Sequence, residues 1–377
     1  MIALLLMAQA AVVQVPHTPP APPVPPPIGT SPPSIGPSLI DFRAGPVRCA
    51  GQEVAATAPI RPIPALGTVR TETTIAPFAI EFDIGADGRT RSIRPATRPQ
   101  PTPFIATDDL QPAVAAARFA PGFPRTRCNV QFEVVAVPVE QAPIALIHRY
   151  YSLPHQRGYG EQAVERRIRD ELATCNAGGP PVMLLRAFPD FERIPQAPGA
   201  LSMTMVGFDI GRDGRPTRVR TETSDGNPAL DAAGRSAVAQ SRFRAGAART
   251  GCTYPYHRRQ TEPVAAPSLP ELASYRPAGS TCEALDEDWT LPPRMTFPAP
   301  FGRRAIEGVA VVRYDVAPWG QTGNVVVLAS EPAAAFGTEA QRIVQQARRA
   351  PSATGATGCV ERVVFKLPGR GTDAPVD

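Results

Sequence analysis

Lysine is almost missing from this chain: Lys366 is the single lysine among 39 lysines and arginines, and the net charge of +5 is small for 377 residues. The arginines are scattered and form no basic stripe, which sets nucleic acid aside as a partner. A run of about 20 apolar residues, the length that spans a bilayer, is lacking too; the nearest approach is the short stretch from Ile2 to Val13. Histidine is scarce, at positions 17, 148, 155 and 257, and the cysteines stand singly. A zinc site therefore has neither its usual spacing nor enough ligands. The G-x-S-x-G elbow, H-E-x-x-H and glycine-rich phosphate loops are missing as well. Gly178-Gly179 follows a helical pattern and acts as a stop signal, not a phosphate cradle. No catalytic residue, cofactor or metal is assigned, and a non-enzymatic protein is expected.

What is there is a repeat. Phe82-Asp-Ile-Gly-Ala-Asp-Gly-Arg89 recurs with one mismatch as Phe208-Asp-Ile-Gly-Arg-Asp-Gly-Arg215, and more loosely as Tyr314-Asp-Val-Ala-Pro-Trp-Gly-Gln321. Each copy reads as an alternating strand entering a tight hairpin at its glycine, with a return strand directly after it. Asp83, Asp209 and Asp315 recur at equivalent positions, where a hydrogen bond to turn amides explains them better than acid-base chemistry. Arg89 and Arg215 read as solvated hairpin charges.

The six cysteines follow the same period. Cys49 and Cys128, Cys175 and Cys252, Cys282 and Cys359 are separated by 79, 77 and 77 residues, so each repeat owns a pair. Six cysteines allow 15 pairings and sequence alone does not choose among them, but the repeat favours bonds within each module. Loops of that length stabilise a module by roughly 4–5 kcal/mol on the chain-entropy model. Such bonds persist in an oxidising compartment. Ile2 to Val13, with Ala8-Gln9-Ala10, has the length and small residues of a secretory segment. Periplasmic or secreted localisation is expected on both grounds.

In order, the chain divides into a signal peptide at 1–15, a proline-rich linker at 16–39, module one at 40–140, a connector at 141–160, module two at 161–260, a linker at 261–277, module three at 278–368 and a tail at 369–377. Helices are expected over 109–119, over 161–174 packing on module two, from Pro228 to about Phe243 behind an Asn227 N-cap, and from a Thr338/Gln341 capping box to about Arg349. His148 and His155 flank Tyr150-Tyr151 in the connector and could form a site with Glu161 or Glu165, although surface or interface residues suit a connector better. An antiparallel sheet packed by helices follows for each module, an α+β class.

The stretches Phe208 to Arg220, Ser224-Asp-Gly, Leu230 to Ala233 and Ala239 to Phe243 in module two resemble the C-terminal domain of the TonB energy-transducer family. So do Phe297-Pro298 and Arg303 to Gly308 in module three, with Phe188-Pro189 in the matching place of module two. The resemblance implies three tandem divergent copies of a small α+β domain. It also implies binding of a protein or peptide, such as a segment of an outer-membrane transporter, by strand addition to a sheet edge. The corresponding edges are Val130, Phe132 and Val134; Thr253, Tyr254 and Tyr256; and Val360, Val363, Val364 and Phe365. Membrane contact is expected at most through the N-terminus. Two alternatives stand beside this reading: a secreted hydrolase or hydrolase inhibitor with a site between modules near 148–159, and a membrane-tethered transducer with a longer N-terminus.

Overall fold

Each hairpin glycine sits where only a left-handed backbone closes the turn, with φ of 74° at Gly88, 77° at Gly214 and 86° at Gly320. A side chain there would strike a carbonyl oxygen, that of Phe119, Phe243 or Arg349 respectively. In return, the amide of each of those residues donates to the glycine carbonyl at 2.9 Å. The same three-point closure is therefore built three times. The computed structural model describes residues 36–69, 75–96, 105–155, 157–258, 262–282 and 289–367. The expected signal segment, nearly all of the proline-rich linker and the tail lie outside these residues.

The entry strands Phe78–Ile84, Ser202–Ile210 and Gly308–Val316 lead into the hairpins, and Thr90–Pro95, Pro216–Ser224 and Thr322–Glu331 return from them. A helix follows in each region, Leu110–Ala115, Pro228–Gln240 and Ala334–Gln346, and then a closing strand, Arg125–Pro138, Arg249–Arg258 and Ala356–Phe365. Every entry strand lies between its return and closing strands, all antiparallel. Alternation puts Phe82, Phe208 and Tyr314 into the cores. Phe82 meets Phe119 at 6.1 Å and Phe208 meets Phe243 at 5.7 Å between ring centroids. Tyr314 instead stacks on Trp289 at 5.9 Å, because Arg349 replaces the phenylalanine and lies 3.7 Å from the Trp289 ring centroid.

The helices differ from expectation at their ends. Asn227 caps its helix by accepting from the Leu230 amide at 3.1 Å, but that helix stops at Gln240, and Arg242–Phe243 turns into a short strand. The third helix starts at Ala334, ahead of the expected capping box; Thr338 donates back to the Ala334 carbonyl and Gln341 donates to the Val325 carbonyl. Asp109 sits at the N-cap of Leu110–Ala115 without capping it, since its carboxylate is held elsewhere. Ile144–Ser152, read as connector, is a helix.

The three sheets are not beads on linkers. The described residues, 36–367, form one compact unit. Modules one and three share a continuous core, in which Ile93, Ala113 and Ala116 of the first join Ile306, Phe336 and Ala340 of the third. At the seam the Ile93 amide donates to the Pro332 carbonyl at 2.9 Å, and the Ser92 amide donates to Glu331 Oε2 at 3.0 Å. Module two keeps its own core, and the connector helix packs across its sheet where Met203 and Met205 meet Leu153 and Ile63. The helix Glu161–Glu171 packs mainly against Leu39, Val139 and Tyr150 on the module-one side, where burial of its Val164 and Ile168 is completed. Among the described residues no helix is long and apolar enough to cross a membrane.

Candidate functional site

The cysteines pair as Cys49–Cys128, Cys175–Cys252 and Cys282–Cys359, each bond tying the lead-in segment to the start of a closing strand. One residue upstream of the second cysteine, each closing strand bulges through a left-handed residue: Arg127 (φ 55°), Gly251 (φ 68°) and Gly358 (φ 70°). The amides of these residues donate to Asp83, Asp209 and Asp315 at 3.0, 3.0 and 2.8 Å. The recurring aspartates thus pin the bulge of the neighbouring strand rather than their own turn. Arg89, expected to be solvated, donates to the Ala265 carbonyl and holds a passing segment.

The three expected edges are not equivalent. In module one the strand Ser38–Ala44 pairs antiparallel along the outer side of the closing strand, from Ser38 opposite Pro138 to Ala44 opposite Phe132. Arg48–Cys49 continues the cover opposite Asn129 and Cys128, and the Gly45 amide donates to the Gln131 carbonyl at 2.8 Å. Val130 and Phe132 are therefore interior to a sheet and fully buried, while Val134 pairs with Phe42. This edge expectation fails because residues 38–44, which span the end of the expected linker and the start of module one, alternate well enough to add a strand. In module two Thr253 and Tyr254 are half-buried, Tyr256 faces the core, and Pro255 lies between them on the outermost strand. In module three Val363 and Phe365 face the core, whereas Val364 is 43% exposed on the other face with Val360 on the same side.

The start of the third closing strand is covered. The Thr281 amide donates to the Thr357 carbonyl at 3.1 Å, the Thr357 amide donates to Thr281 Oγ1 at 2.9 Å, and Arg362 reaches the Pro270 carbonyl. Module one fixes which backbone groups face outward, since Asn129 and Gln131 meet Arg48 and Gly45 there. Counted from the second cysteine, these correspond to Val360 and Arg362. The outward groups of Val360, Arg362 and Val364 make no backbone hydrogen bond to another described segment.

A second feature is a cleft of about 700 Å3 lined by Ile63, Leu66, Ile105, Tyr150, His155 and Tyr159, with Asp108 and Arg303 at its wall. The structure separates the two connector histidines. His148 is buried, with Nε2 2.7 Å from Glu171 and Nδ1 2.8 Å from the Thr223 hydroxyl, an interface contact between helices and sheet. His155 faces the cleft, with Nε2 3.2 Å from Glu161, whose other oxygen accepts from the Tyr150 hydroxyl at 2.8 Å. Burial, reinforced by the hydrogen bond to Glu161, pushes the Tyr150 phenol well above its usual range. Glu165 stays outside, 4.0 Å from exposed Arg157. Asp109, which the sequence did not single out, accepts from the Ile63 amide at 2.7 Å and pairs with Arg304 at 2.6 Å behind the cleft. Only the fold brings residues 109 and 304 together.

A three-stranded antiparallel sheet packed by one helix, closed by an outermost strand, defines a small α+β module. Residues 293–367, within the third module, match the family model for the Gram-negative bacterial TonB protein C-terminal domain. No curated protein matches the chain.

Proposed function

We propose that the chain is a non-enzymatic, periplasmic or secreted protein that binds an extended segment of a protein partner by strand addition to the closing strand of module three. An outer-membrane transporter segment is the partner type that the family match over residues 293–367 suggests. One observation supports this reading: within the family-matched region, the outward backbone groups of Val360, Arg362 and Val364 on the proline-free strand Ala356–Phe365 pair with no other segment among the described residues. Backbone groups in such a rim supply affinity, and alternate side chains supply selectivity. Three disulfides favour an oxidising compartment. The test places a photo-crosslinking residue at exposed Lys366 and identifies adducts formed in envelope extract. Outer-membrane protein segments are expected, and adducts unchanged by Arg362→Pro would count against strand addition.

The cleft supports a second reading, a hydrolase or an inhibitor of one, because His155 lies there within reach of Glu161. It ranks below the first: both Glu161 oxygens are engaged, and no serine or cysteine is among the lining residues. Ester or peptide hydrolysis that vanishes in His155→Asn would raise it above the first.

A further inference from the structure

We propose that the molecule is monovalent: of its three closing strands only Ala356–Phe365 accepts a partner, because the chain itself fills one rim and disarms another. This rests on the strand-addition reading and names the chemistry of the strand that fits. Module one supplies the precedent, since Ser38–Ala44 lies antiparallel on the outer rim of the closing strand and occupies the place a partner would take. Module two fails differently. Pro255 lies three residues beyond Cys252, as Arg362 lies three beyond Cys359, and in this register the position points its backbone outward. Proline has no N–H to give, so the rim lacks its middle donor, a common way for natural sheets to blunt an exposed edge.

The third rim has no strand paired along it among the described residues and no proline within it, although the turn Leu272–Tyr275 packs beside it. On the sheet face away from the core, Val360, Arg362, Val364 and Lys366 alternate along it. Arg362 Nε is buried with no acceptor among the described residues, although the same guanidinium donates elsewhere to Pro270. An extended segment whose alternate residues run apolar, acidic, apolar, acidic would cover the two valines and place carboxylates at Arg362 and Lys366.

The test pans a phage-displayed nonamer library on the disulfide-intact chain and measures the selected peptides by calorimetry and amide hydrogen exchange. One peptide per chain is expected, carrying alternating acidic residues and protecting amides of 360–364. Val364→Pro should weaken binding at least ~10-fold, a loss of about 1.4 kcal/mol. Arg362→Ala should weaken it ~5-fold or more, as expected for a charged hydrogen bond. Near-UV circular dichroism and disulfide mapping check that both variants fold. Pro255→Thr should add a second site; a chain that still binds one peptide would overturn the role given to the proline. Native stoichiometry above one, with protection at 253–257 or 130–134, overturns monovalency and leaves strand addition standing. Peptides that protect 150–159 instead, or a library that yields no binder, overturn strand addition and this inference with it.

Discussion

Arg127 holds a left-handed backbone at φ 55° where the other modules place Gly251 and Gly358. A Cβ in that region costs about 1 kcal/mol, and the Asp83 contact uses only the Arg127 backbone amide, which any residue keeps. Arg127→Gly is therefore expected to stabilise the protein by about 1 kcal/mol, read as a raised midpoint in chemical denaturation. No change, or a loss, would mean that the arginine side chain contributes more than its backbone costs. Arg349 is the converse case. It stands where modules one and two have Phe119 and Phe243, and its charge is accommodated by Trp289, the Tyr314 hydroxyl and Glu361. Sequence reading could align that position but could not supply the partners, which come from 12 to 60 residues away.

Among the elements, the hairpins were the most legible, since Asp-Gly between alternating runs fixes turn and register locally. The connector helix Ile144–Ser152 was not. It is short, bounded by Pro143 and Pro154, and its apolar residues make sense only between the module-two sheet and the helix Glu161–Glu171. Buried phenols on these elements give a pH dependence. Burial pushes Tyr256, on the second closing strand, up from 10.0 to about 12, and raises Tyr150 on the connector helix as well. The fold accommodates the protonated phenol, so this stability is fully present below the unfolded pKa near 10 and is lost as pH rises through about 12. Thermal midpoints should hold below pH 10 and fall between about 10 and 12, with tyrosinate absorbance rising as the protein unfolds. A flat midpoint across that window would contradict the assignment. Tyr256→Phe should shrink the drop.

At the scale of the whole molecule, one buried ion pair ties the modules together. Arg304 donates to both oxygens of Asp109, at 2.8 and 2.6 Å, and to the carbonyls of Gly199 and Arg61. Removing one partner leaves an uncompensated buried charge, so Arg304→Met should cost about 3–5 kcal/mol. The double change with Asp109→Leu should recover part of that loss in chemical denaturation; a single variant as stable as the native chain would show that the seam is held elsewhere. The amino-acid sequence by itself determined the hairpins, the repeat and which cysteines belong to which repeat, because turn chemistry and period are local properties carried by neighbouring residues. Only the tertiary structure decided that modules one and three share a core, that Ser38–Ala44 covers one rim, and that His148 is buried while His155 faces a cleft. Those outcomes depend on which surfaces meet, and residues far apart along the chain settle that by burying apolar area and pairing backbone groups together.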